Sequence, residues 1–202
     1  MHISEGVLSL PVLAGGAIVA ATGTVIGLKK LDSEKLISVA LLSSVFFIAS
    51  LIHIPIGPSS AHLILNGLMG LLLGWAAFPA ILTALLLQAV LFQYGGLTVL
   101  GVNTVTMALP AVVCYYFFRP LLKKNFFSMS VGAFLCGAVS IALSATLTAL
   151  ALSFTDESFT SVAQMIIYGH IPIMIIEGFI CASAYGFLQK VRPEMLLTMQ
   201  ET

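Results

Sequence analysis

The chain has 202 residues, 59% hydrophobic and only 8% charged, with eight basic and eight acidic side chains and a formal net charge of zero. Soluble domains carry about 25% charged residues, so a soluble fold is excluded, and zero net charge leaves no electrostatic footprint for nucleic acid. Apolar runs of about 20 residues, the length that crosses a hydrocarbon core about 30 Å thick, recur throughout; the composition predicts an all-α, multi-pass bundle in the cell (inner) membrane.

The opening MHISEG lacks the basic n-region and small-residue cleavage site of a secretory signal, so residues 1–7 are read as a separate tip. A histidine at position 2 stands one residue from the α-amine. The Met1 amine, the His2 amide nitrogen and the His2 imidazole can close fused five- and six-membered chelate rings on one ion. The amide must lose its proton, which needs a metal that bonds strongly in a plane of nitrogens. That chemistry points to Ni(II) or Cu(II), away from Mg, Ca and tetrahedral Zn. One further imidazole would complete the plane.

Seven spans are expected along residues 8–188, followed by a cytoplasmic tail over residues 189–202. They run from about Leu8 to Leu28, Leu36 to Ile54, two within His62 to Phe92 divided near GWAAFP, Leu100 to Phe118, Val131 to Phe154 and Val162 to Leu188. The third and fourth, roughly 14 to 16 residues each, are shorter than a full crossing usually needs. The basic residues fall in three groups, Lys29, Lys30 and Lys35, then Arg119, Lys123 and Lys124, then Lys190 and Arg192. With seven spans these share one side, which the positive-inside rule makes cytoplasmic, leaving the N-terminus outside. His2, His53, His62 and His170 then gather at the outer side, as a cation site or a proton-sensitive one would.

The candidate fourth ligand lies in HIPIGPSSAHLILNGLMG, residues 53–70. Pro55, Gly57 and Pro58 predict a bent, non-helical entry, tolerated at depth only where protein or a cavity covers it. If the third span begins at His62, Asn66 and Gly70 share its face at i+4 and i+8. His53 is the rival ligand. Ser59, Ser60 and Asn66 are expected to line the cavity. In FQYGGLTVLGVNT, residues 92–104, Gln93 and Asn103 are placed to support an ion's ligands by hydrogen bonds. In GHIPIMIIEGFI, residues 169–180, Pro172 should interrupt the helix, and Glu177 is the one acid deep within a span. His170 and Glu177 are candidates for a structural or coupling role, and Glu177, about 10 Å along the helix from His170, is placed as a poor ligand for a site at the N-terminus. Cys114, Cys136 and Cys181 form no CxxC pair and are expected to pack as small hydrophobes.

MHISEG, GPSSAHLILNG, GGLTVLGVNT and HIPIMIIEG resemble the four signature stretches of the CbiM/NikM family, substrate-binding membrane components of energy-coupling-factor (ECF) transporters for nickel and cobalt. The resemblance runs from residue 1 to about residue 188. It implies a helical bundle whose N-terminus folds inward, with the metal held by Met1, His2 and the internal histidine, here His62. It also implies a transmembrane coupling subunit, two ATP-hydrolysing subunits and, in many cases, a small accessory membrane protein. The chain itself has no GxxxxGK[ST] loop and is expected to be no enzyme; Ni(II) or Co(II) is its bound substrate, with no organic cofactor. Many relatives carry histidine where this chain has Tyr94, and cobalt-type members often place Cys and Ser before the internal histidine, where this chain reads Ser59-Ser60-Ala61; the balance favours nickel, with cobalt uptake for cobalamin synthesis the alternative. An intramembrane metalloenzyme is disfavoured because there is no HExxH and no aspartate within a span. A proton-coupled carrier using His170 and Glu177 leaves MHISEG without a role and lacks the paired broken helices of an inverted repeat.

Overall fold

The computed structural model describes residues 2–56, 59–122, 125–193 and 196. Among these the elements run α1 (Leu10–Lys29), α2 (Leu36–Ala49), β1 (His53–Ile56), β2 (Ser59–His62), α3 (Asn66–Leu73), α4 (Ala77–Phe92), α5 (Leu100–Leu122), α6 (Phe126–Ser153), α7 (Thr160–Gly169) and α8 (Ile171–Val191). Helices dominate because lipid offers no partner to backbone N–H and C=O groups, which a helix satisfies internally. The helix ends carry their expected signals. Pro11 occupies the first turn of α1, Lys29 its last, and the Asn125 side chain caps α6 by accepting from the Ser128 amide at 2.9 Å. Pro172 starts α8 after the break at His170, as its missing N–H requires.

Among the described residues, five stretches are long and apolar enough to cross a bilayer: Leu10–Lys29, Asn66–Phe92, Leu100–Leu122, Phe126–Ser153 and Glu157–Val191, while Leu36–Ala49 is apolar but shorter. The expectation of seven spans is therefore corrected to five such stretches and one shorter helix. The difference centres on Asn66–Phe92, which Gly74 interrupts at φ +54°, a conformation that glycine adopts without penalty. From Asn66 to Gly74, contacts step along α5 in the same sense: Asn66 to Met107, Gly70 to Ala111, Gly74 to Tyr115. From Trp75 onward they return, with Trp75 against Gly27 of α1, the Ala80 carbonyl on Ser43, and Gln88 on Ser50. α3 and α4 thus run in opposite senses, and α3, with 8 residues, covers only about 12 Å.

All eight residues of α3 are buried, the pattern of a helix enclosed on every side. It sits in the core with Ile81 and Ala84 of α4, Met107 and Ala111 of α5 and Cys136 of α6. Two glycines set the spacing there. A Cβ on Gly67 would lie 2.6 Å from the Gly137 Cα, and one on Gly137 would lie 2.6 Å from the Glu177 carbonyl oxygen, so small residues bring α3, α6 and α8 to near backbone contact. All three cysteines are free and buried, as packing residues should be.

The bundle has two chemically distinct ends. Ser50, Gln88, Asn103 and the N-terminal tip share one of them. At the other lie Lys30 and Lys35 near Trp75, Arg119 over the Tyr115 ring, and Lys190 over the Phe126 ring. Lys123 and Lys124 lie outside the described residues.

Candidate metal site

The N-terminal tip folds into the bundle. Ile3 and Leu8 are buried against Val99, Val102 and Leu152, so two apolar side chains favour docking by about 1.5–3 kcal/mol each. Asn103 then fixes the register. Its Oδ1 accepts from the Ile3 amide at 3.0 Å and its Nδ2 donates to the Ile3 carbonyl at 3.1 Å. The Glu5 amide donates to the Gly95 carbonyl at 3.2 Å, and its carboxylate accepts from the Thr98 amide at 3.1 Å. Gly95 holds φ +75°, and a Cβ there would come within 2.8 Å of the Asn103 Nδ2, so a side chain would press on the clamp. Finally the Ser9 amide donates to Thr155 Oγ1 at 3.2 Å.

This docking brings the His2 ring to 4.8 Å from the His62 ring, centroid to centroid, tilted by 34°, with the Tyr94 ring at 6.1 Å. His62 is 5% exposed, and its Nδ1 donates to the Leu63 carbonyl at 3.0 Å. In a neutral imidazole that places the lone pair on Nε2. His2 Nε2 lies 2.8 Å from Gln88 Oε1, and Gln88 Nε2 donates to Ser50 Oγ. Among the described residues no three His, Cys, Asp or Glu side chains converge; the two imidazoles do. Met1, the other expected ligand residue, lies outside the described residues.

His62 is not on a helix. It ends β2, and its backbone pairs with His53 across the hairpin, whose connecting Gly57 and Pro58 lie outside the described residues; the side chains of residues 53–61, including His53, Ser59 and Ser60, are not among those described. The expected face shared by His62, Asn66 and Gly70 is therefore corrected, because Leu65 adopts φ +54° before α3 begins. Glu177 explains why that turn holds. Its carboxylate accepts from the Ile64 amide at 2.5 Å and the Leu65 amide at 2.9 Å. Its distance along α8 from His170 is as expected, yet it grips the segment that follows His62.

The remaining candidates divide by contact. Asn66 donates to the Met107 carbonyl and Ser144 Oγ and accepts from Ser140 Oγ, so it braces α3 against α5 and α6. Gln93, with φ +58°, is exposed and lines an open crevice with Ser4, Glu5, Gly95, Gly96 and Leu97. His170 closes α7, its Nδ1 donating to the Ile166 carbonyl at 2.7 Å, while its buried Nε2 has no hydrogen-bond partner among the described residues. Sequence reasoning missed Gln88 and Ser50, which reach His2 directly and through one link. Gln88 carried a signal, a lone carboxamide within the apolar run ALLLQAVLF.

A family model for the cobalt uptake substrate-specific transmembrane region, CbiM, matches residues 2–195. A Haemophilus influenzae protein named for metal transport is 41% identical, with 97% of each chain covered. The cobalt transport protein CbiM of Sorangium cellulosum is 30% identical, covering 99% of this chain and 96% of its own. A fused Archaeoglobus fulgidus protein named for nickel transport, NikMN, is 29% identical over 97% of this chain and 68% of its own. The crystal structure of a transition metal transporter superposes with a TM-score of 0.82 at 28% identity, covering 98% of this chain and 96% of that one.

Proposed function

The chain belongs to the CbiM family of substrate-specific transmembrane proteins for cobalt uptake, and from that premise we propose that it captures Ni(II), with Co(II) the alternative, at its N-terminal tip for import. The observation that carries this reading is the 4.8 Å approach of the His2 and His62 rings. Metal–nitrogen bonds of about 2.0–2.1 Å would set two imidazoles at adjacent corners of a square about 4.5 Å apart, centre to centre. In the proposed set the Met1 amine, the His2 amide nitrogen and the His2 imidazole occupy three corners and His62 the fourth. An anionic amide nitrogen rewards a metal with strong in-plane bonding, which favours nickel. Cobalt is the second reading because the matched family model is described by cobalt uptake.

The tip faces outward in this proposal, since the described basic residues of α1, α5 and α8 collect at the opposite end of the bundle and positive charge marks the cytoplasmic side. The chain does no chemistry of its own. It hands the ion to a transport assembly driven by two cytoplasmic ATPase subunits through a transmembrane coupling subunit, with a small accessory membrane protein as a further partner. Exchanging His2 for Ala tests the site. The exchange removes the imidazole that closes the six-membered chelate ring and should abolish tight Ni(II) binding by the folded protein in detergent titration. Binding at wild-type affinity would overturn the N-terminal site.

A further inference from the structure

Three hydrogen bonds lead from His2 into the bundle, and their direction is set at the far end. The Phe47 carbonyl can only accept, so the Ser50 hydroxyl donates to it at 2.7 Å. A hydroxyl has one proton, so Ser50 Oγ must accept from Gln88 Nε2, 2.5 Å away. This fixes the amide with Oε1 towards His2, 2.8 Å from its Nε2. An amide oxygen only accepts, so the His2 proton sits on Nε2 and the lone pair on Nδ1. Gln88 is 0% and Ser50 1% exposed, so solvent does not compete for either link.

We infer that Ser50 and Gln88 are positioning residues that set the tautomer of His2, presenting Nδ1 to the metal. Nδ1 is the ring nitrogen that closes a six-membered chelate with the residue's own amide nitrogen; Nε2 lies on the far side of the ring and cannot. The purpose of the relay rests on the proposed N-terminal chelate, but the tautomer is a property of the metal-free protein. Neither Ser50 nor Gln88 touches the ion in this arrangement. Each acts through the imidazole, as hydrogen-bond partners of metal-binding histidines do elsewhere.

The test uses the full chain in detergent with ¹⁵N-labelled histidine, free of metal, at a pH where the imidazoles are neutral. Long-range ¹H–¹⁵N spectra of the wild type should show His2 as the Nε2–H tautomer. Ser50→Ala releases the Gln88 amide to rotate, so a second tautomer should appear and Ni(II) affinity should fall about 10- to 100-fold, the usual cost of losing such a partner. Ser50→Thr keeps the hydroxyl and should match the wild type in both readouts. Adding Gln88→Glu to Ser50→Ala offers His2 an acceptor oxygen whichever way the side chain turns, and should restore the Nε2–H form. A single unchanged tautomer in Ser50→Ala overturns the relay. A shifted tautomer with unchanged Ni(II) affinity supports the relay and overturns the chelate reading, so the two failures are distinguishable.

Discussion

Asn103→Ala asks how much of the site depends on docking of the tip. The wild-type amide makes both an acceptor and a donor bond to the Ile3 backbone, at 3.0 and 3.1 Å. Truncation leaves a buried N–H and a buried C=O stranded, at about 1–3 kcal/mol each, so the docked tip loses at least about 2 kcal/mol. At about 1.4 kcal/mol per tenfold change, the ratio of docked to undocked tip should fall about 30-fold or more. Hydrogen exchange at the Glu5 amide, which bonds the Gly95 carbonyl and not Asn103, reads this directly and should accelerate by that factor. Apparent Ni(II) affinity falls with the competent fraction, by up to the same factor. A Glu5 amide that exchanges within about threefold of the wild type would refute the clamp.

His62→Ala should abolish tight Ni(II) binding while His53→Ala preserves it, measured by competitive titration in detergent; the reverse pattern would transfer the fourth position to His53. Glu177→Ala strands two buried amides after His62, so it should lower the thermal midpoint by on the order of 5 °C and weaken Ni(II) binding. Glu177→Gln keeps an acceptor oxygen for the same amides and should leave affinity within about threefold. Amine, amide and imidazole ligands all shed protons on binding, so log affinity should rise by about two or more per pH unit below neutrality; a flat profile would exclude amide coordination.

What was legible in the sequence was local. A histidine at position 2 declares its chelate rings by bonded distance alone, and Asn103 stood out as a polar residue beside a glycine-rich turn at membrane depth. His62, nominated from the sequence, does lie beside His2, but its setting was not legible. The i+4 spacing to Asn66 suits a helix, while the chain instead spends Leu63, Ile64 and Leu65 on a turn held by a carboxylate more than a hundred positions away. The division of the next apolar length was legible at GWAAFP, and the backbone breaks there, at Gly74; the start of the third span at His62 was not, since α3 begins only at Asn66. Gln88 was missed because its role comes from the pairing of α4 with α2, which brings Ser50 beside it. Gln93, five residues further along, carries the same side chain but caps a helix in the open. Side-chain chemistry nominated the donors, and tertiary contacts decided which of the polar residues stand beside them.

The most direct test of nitrogen capture at the tip is the visible absorption and magnetic moment of the purified protein titrated with Ni(II). One equivalent should produce a yellow, diamagnetic species, the signature of a nitrogen plane, and His2→Ala should erase it. A paramagnetic, six-coordinate spectrum at one equivalent, or a yellow species that survives His2→Ala, would contradict the account.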